Sequence, residues 1–239
     1  MLGDIRSGGL QKPMKMIPAS DSSVLVVFGE AITPETHRRV LNLFHALRSR
    51  RDRRIRNLHP GYVSLLVDFD PLALTHERIF ALIEETSEAE PGANPGRTKL
   101  VDVPVHYGEE HGPDLADVAA HAQLAVEEVV RLHSSATYDV SFLGFTAGFA
   151  YLSGMPETLS MPRLATPRRS VVAGSVGIAG GQTGIYPTET PGGWRLIGRT
   201  PLRMFDSRRS APTLVLPGDQ VRFTSISRAE FERLWQECA

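Results

Sequence analysis

Apolar and β-branched residues first gather at Ser23–Phe28 (SVLVVF), a run closed by Gly29, and this pattern predicts a strand. Thr33-Pro34 then reads as a helix N-cap followed by proline at the first helical position. Val40, Leu43, Phe44 and Leu47 follow at helical spacing and make one apolar face. That period dissolves in Arg48–Arg56, which holds six arginines and one aspartate. Val63–Phe69 (VSLLVDF) predicts a second strand, broken by Asp70-Pro71. Thr75 caps a second helix, with Ile79, Leu82 and Ile83 facing inward.

Glu90–Arg97 (EPGANPGR) is rich in proline and glycine, carries no period and marks a domain boundary. Beyond it, Leu100–Val105 is apolar but interrupted by Pro104, which predicts an edge strand. Asp114 caps a short helix to about His121, and a second runs from Val126 to His133. The helical period then gives way to short strand-like runs at Tyr138–Leu143, Phe149–Leu152, Ser170–Ala173, Ile185–Tyr186, Trp194–Ile197 and Gln220–Phe223. Short strands between turns predict a barrel or sandwich. Ser227 and Glu230 form a capping box for a last helix, with Phe231, Leu234 and Trp235 on its buried side. The chain therefore reads as α+β. A loose leader covers 1–20, a small α/β domain 21–95, and a β-barrel domain with peripheral helices 96–239.

Composition narrows the class. The 239 residues carry a net charge of −1, which argues against a protein that coats nucleic acid. No apolar run reaches membrane-spanning length, and residues 1–20 lack a signal-peptide core. The single cysteine, Cys238, excludes disulfide frameworks and thiolate metal sites. A cytoplasmic protein without membrane or nucleic-acid partners is the expectation. Phosphate loops of the G-x-x-x-x-G-K-[ST] type, G-x-G-x-x-G turns and G-x-S-x-G elbows are all missing from the sequence. His106 and His111 flank Glu109 and Glu110 but have no second ligand pair at metal spacing, so they read as solvated loop residues and no metal site is expected. The Arg48–Arg56 cluster reads as a solvated helix end.

Glycine and arginine point to one region. Gly144–Gly198 holds 11 of the 21 glycines. Met161–Ser210 holds eight arginines against Glu189 and Asp206. Glycines let a backbone approach a ligand, and arginine forks hold carboxylate or phosphate. Such strands predict a cleft for a small anionic or carbonyl-bearing molecule, with Gln182, Thr183 and Tyr186 as neutral donors able to polarise an amide oxygen.

GFTAGFAYLSGMP (144–156), AGSVGIAGGQTGIYP (173–187), TPGGW (190–194), LIGRTP (196–201) and LPGDQVRF (216–223) carry a resemblance, supported by HPGYVSLLVDFDP (59–71) and PVHYGEEHGPDL (104–115). From about Ser23 to Phe231 the sequence resembles the B-type subunit of the bacterial ATP-dependent 5-oxoprolinase. This family is also called allophanate hydrolase subunit 1, includes the sporulation-kinase inhibitor KipI, and is similar to half of a carboxyltransferase region of urea carboxylase. Ala147 and Val172 stand where the family commonly has proline.

The resemblance implies an α/β domain followed by a cyclophilin-like barrel. It also implies a heteromer with the C-type subunit (allophanate hydrolase subunit 2-like) and the A-type subunit of 5-oxoprolinase, the lone chain being inactive. It implies hydrolysis of a lactam with ATP, with magnesium, shared among subunits. On this chain Arg163, Arg168 and Arg199 are expected to hold carboxylate or phosphate oxygens. Gln182, Thr183 and Tyr186 would orient the carbonyl, and Tyr151 would form a cleft wall. Two other readings stand beside this one: a carboxyltransferase or allophanate-type amide-processing subunit, and a KipI-like kinase inhibitor. No biotin is expected on this chain, because its one Met-Lys pair of note, Met14-Lys15, lies in the leader.

Overall fold

Residues 14–88 and 98–238 are described by the computed structural model. Two compact units divide the chain, Met1–Gly96 and Arg97–Ala239. The Pro/Gly stretch 90–97 and residues 1–13 of the expected leader lie outside the described residues.

In the first unit, β1 (Lys15–Ser20), β2 (Ser23–Val27), β3 (Ile55–Pro60) and β4 (Ser64–Phe69) form an antiparallel sheet in the order β1-β2-β4-β3. Helices α1 (Pro34–Ser49) and α2 (His76–Glu88) share its core. Alternation along β4 buries Leu65, Val67 and Phe69. The α1 stripe Val40, Leu43, Phe44 and Leu47 meets them, with Ile79, Leu82 and Ile83 of α2. Thr33 caps α1 as its sequence implies, its Oγ1 accepting from Thr36 N at 3.1 Å. One expectation fails here: Lys15–Ser20, assigned to a loose leader, form β1 against β2. The arginine-rich segment is the exposed end of α1, as its composition implies, and leads into β3, with Arg50 paired to Glu85, Arg54 to Asp52 and Arg56 to Asp70.

The second unit begins with β5 (Leu100–Tyr107), a 3-10 turn at Glu109–His111, α3 (Leu115–Ala122) and α4 (Val126–Ser135). Strands β6 (Thr137–Leu143), β7 (Ala150–Ser153), β8 (Arg168–Val171), β9 (Ser175–Ala179), β10 (Gln182–Ile185), β11 (Thr190–Gly192), β12 (Arg195–Arg199) and β13 (Gln220–Ser225) follow, then α5 (Arg228–Cys238). Seven strands close a barrel in the order β10-β7-β6-β13-β5-β12-β9, while β8 and β11 pair separately. Only the β5–β13 pairing among the barrel strands is parallel. The expected α+β class with a barrel in its second half holds.

Pro104 does not put β5 at an edge. The strand lies between β12 and β13, and β12 pairs with it only at Tyr107 and His106. Pro104 therefore sits where β5 has β13 alone beside it, so its missing N–H removes no bond to β12. Strand β9 (SVGIA) escaped the sequence reading because it is buried along its whole length and shows no alternation. Its outward position is Gly177, where a Cβ would lie 3.1 Å from Trp194 Cβ.

Candidate functional site

Thr183 points into the barrel, not into a cleft. It is fully buried on β10, 3.0 Å from His133 Nε2, and its hydroxyl donates to Gly177 O at 3.0 Å. With that proton committed, Thr183 Oγ1 accepts from His133 Nε2–H. His133 Nδ1 then accepts from the Tyr107 hydroxyl at 2.8 Å. Burial drives the His133 pKa down to about 3, so the ring is neutral at physiological pH. Thr183 has its one proton committed inside the barrel and is closed from solvent, so in place of the expected carbonyl-orienting position it stands in a structural network.

On the outer face of the barrel, β10 and β9 present glycines. A Cβ on Gly184 would stand 2.9 Å from Ala150 O and 3.0 Å from Trp194 Cζ3. The bare floor accepts a second apolar cluster that includes Phe149, Tyr186, Trp194 and Leu196. Phe149 meets Tyr186 and Trp194 edge-on, at 5.2 and 5.3 Å between ring centroids. Tyr151 joins this shelf, 5.8 Å from Trp194 and stacked on Phe142 at 4.5 Å. Arg163 places its guanidinium 6.0 Å from the Trp194 ring. Tyr186 is buried, and burial raises its pKa against the opposing backbone N–H of Trp194. Gly192 leaves room for its hydroxyl.

Arg168 stands at the base of the same shelf in a structural pair. Its Nη2 donates to Asp114 Oδ1 at 2.7 Å, and Asp114 Oδ2 accepts from Leu196 N at 2.7 Å. Asp114 is 5% exposed, so this carboxylate ties the start of α3 to β8 and β12 from inside. Gln182 begins β10 opposite Ala179, at the Gly180-Gly181 hairpin tip. That is the end of the β9–β10 hairpin away from Gly174 and Pro187.

Gly174 and Pro187 belong to a hollow of about 410 Å³, lined also by Ala173, Thr188, Glu189, Pro201, Leu202, Arg203, Phe205 and Trp235. Three glycine- and proline-bearing motifs end here: AGS at 173–175, IYP at 185–187 and GRTP at 198–201. A fourth, GFTAGF, comes in from the side, since a Cβ on Gly148 would lie 2.7 Å from Phe205 Cβ. Gly174 has φ +85 and faces the Thr200 carbonyl, a position only glycine fills without strain.

Of the expected arginines, Arg199 stands beside this hollow, joined to two of its lining residues. Its Nε donates to Ala173 O at 2.9 Å, and its guanidinium lies 4.4 Å from the Trp235 ring centroid. Desolvation lowers its pKa from the ordinary arginine value. Nearby, His106 and His111 are hydrogen-bonded Nδ1 to Nδ1 at 3.0 Å, and His111 packs on Phe231 at 4.3 Å. His106 is buried, so the solvated-loop reading of this pair is corrected. Among the described residues no group of three or more His, Cys, Asp or Glu could hold a metal.

The single cleft expected for Arg163, Arg168 and Arg199 thus resolves into two places. Arg163, Arg168, Tyr151 and Tyr186 gather around Trp194, and Arg199 flanks the hollow. Sequence reading missed Arg203, Phe205 and Trp235. Trp235 was expected on the buried side of α5 but is 40% exposed and lines the hollow. Phe145, inside GFTAGF, adopts φ +64, which is rare for a bulky side chain and is the signal that marks this turn.

Residues 14–215 match the family described as carboxyltransferase domain, subdomain C and D. The chain is 40% identical to the B-type 5-oxoprolinase subunit of Haemophilus influenzae, over 88% of this chain and 97% of that protein. It is 53% identical to the B-type 5-oxoprolinase subunit of Escherichia coli O157:H7, over 62% of this chain and 65% of the relative. Among solved structures, TTHA0988 superposes with a TM-score of 0.76 at 35% identity, covering 86% of this chain but 40% of that longer one.

Proposed function

We infer that this chain, which belongs to the carboxyltransferase-domain family of subdomains C and D, is the B-type subunit of an ATP-dependent 5-oxoprolinase. The observation that carries this reading is the nearly full-length match to the H. influenzae protein of that name. The hollow beside Arg199 supplies a place for the chemistry. At about 410 Å³ it falls at the small end of ligand cavities and suits a five-membered lactam acid.

In this reading Arg199 and Arg203 hold the substrate carboxylate by charge-assisted hydrogen bonds. Trp235 offers the ring a flat apolar wall. A lactam resists water because amide resonance makes its carbonyl a poor electrophile. Transfer of the ATP γ-phosphoryl group to the carbonyl oxygen removes that resonance. Water then adds at the carbon, C–N cleavage opens the ring to γ-glutamyl phosphate and frees the amine, and a second water hydrolyses that acyl phosphate to glutamate and phosphate. The sequence lacks a glycine-rich phosphate loop, so ATP and its magnesium are assigned chiefly to the C-type and A-type subunits. Among the described residues no helix is long and apolar enough to cross a membrane.

The test is reconstitution with the C-type and A-type subunits and measurement of ADP release. The reading expects 5-oxoproline to stimulate ADP release by the complex and glutamate to appear in equal amount. ADP release indifferent to 5-oxoproline but stimulated by urea, in a system with a biotinylated carrier, would replace it with the carboxyltransferase reading.

A further inference from the structure

We propose that Phe145, Val172 and Phe205 form an apolar docking rim around the hollow, and that its occupant is an acidic, apolar-centred face of the C-type subunit. The proposal rests on the function inferred above and adds the surface and its chemistry.

Phe145 is 62% exposed and Val172 45% exposed. Phe145 stands 6.5 Å from Tyr186, whose backbone carbonyl accepts from Gly174 N in the wall of the hollow. Val172 precedes Ala173 in the same wall, and Phe205 lines the hollow directly. Phenylalanine at φ +64 costs about 1 kcal/mol or more in backbone strain. One edge of the ring touches Phe149, at 5.6 Å between centroids, and Tyr186, but most of it faces away from the core of its own chain. It makes sense as a side chain presented to another surface, where aromatic residues are the usual anchors.

Charge selects the partner. Arg203, Arg208 and Arg209 converge on the single Asp206 carboxylate, at 3.7, 2.9 and 3.8 Å. Three guanidiniums face Asp206, and Glu189 in the wall of the hollow is a second acid, so with Arg199 the cations still outnumber the acids beside the rim. A second copy of this chain would bring the same excess against itself, which opposes self-pairing. A partner carrying carboxylates around an apolar centre satisfies both features. Seated there, it would cover the hollow and exclude water from the lactam.

The test measures binding of the purified C-type subunit to the full chain by titration calorimetry at two salt concentrations, with Phe145→Gly and Val172→Asp as variants. Glycine tolerates φ +64, so Phe145→Gly is expected to keep or raise the thermal midpoint of the isolated chain while weakening binding at least tenfold. Val172→Asp is expected to weaken it further through like-charge repulsion, and salt to weaken the wild-type pair. Variants that bind within twofold of wild type overturn the rim. A wild-type pair that binds as expected but shows no 5-oxoproline-dependent turnover once the A-type subunit is added overturns the function and leaves the rim standing. No binding of wild type to the C-type subunit overturns both. Dimers of the chain alone, abolished by Phe145→Gly, overturn the choice of occupant.

Discussion

His133 Nε2 and Thr183 Oγ1 lie 3.0 Å apart inside the barrel, joining α4 to β10 through two buried polar groups. The neutral ring is required for this bond pattern, since Nδ1 must accept from Tyr107. Its folded pKa of about 3 lies below the ordinary histidine value of 6.5. The folded state thus binds fewer protons than the unfolded one. This contribution is complete above pH 6.5 and is lost progressively as pH falls from 6.5 toward 3. The loss approaches about 1.4 kcal/mol per pH unit, so roughly 2 kcal/mol is gone at about pH 5. Urea unfolding from neutral to mildly acidic pH checks this against His133→Gln, which should show a flatter dependence.

Thr183→Val removes the acceptor and leaves the His133 N–H buried without a partner. A cost of about 1–3 kcal/mol follows. Thr183→Ser, which keeps the oxygen, should recover most of it. Chemical denaturation of the two variants separates a polar-network role from simple loss of volume.

Asp114→Ala strands both the Arg168 guanidinium and the Leu196 N–H. Breaking a largely buried pair of this kind costs about 3–5 kcal/mol, and partial exposure of Arg168 reduces the expected loss to about 2–4 kcal/mol. Arg168→Met removes one partner but fills the space, so it should cost less. Equal losses in thermal or denaturant unfolding would show that Asp114 acts through Arg168 alone.

Gly184→Ala drives a methyl group into Ala150 O and the Trp194 ring. Overpacking at such a floor costs about 1–3 kcal/mol. The shift should appear both in the unfolding midpoint and in the emission of Trp194, whose packing the added methyl disturbs.

Both helical stripes of the first unit and the capped start of α5 were legible because side-chain period and capping are local properties. Strand β9 was not, because a glycine occupies its outward position and erases the alternation a strand displays. The pairing of Arg168 with Asp114 spans 54 residues and leaves no mark on either segment. Charge counting found the arginine-rich region but could not sort Arg199 from Arg163, since both follow from the same local composition. Thr183 looked like a free donor in a glycine-rich run. Only the register of β10 against β7 and β9 turns it inward to His133.

The hollow beside Arg199 is held to become competent in the assembled enzyme. Steady-state 5-oxoproline-dependent ADP release by the complex with the C-type and A-type subunits, comparing wild type with Arg199→Gln and Gln182→Ala, tests this most directly. Loss of a charge-assisted hydrogen bond of about 1.5–3 kcal/mol should raise KM for 5-oxoproline by roughly 10- to 150-fold in Arg199→Gln. Gln182→Ala at the hairpin tip should stay within twofold, and the chain alone should show no turnover. An Arg199→Gln complex with wild-type KM and kcat, or full turnover by the isolated chain, would contradict it.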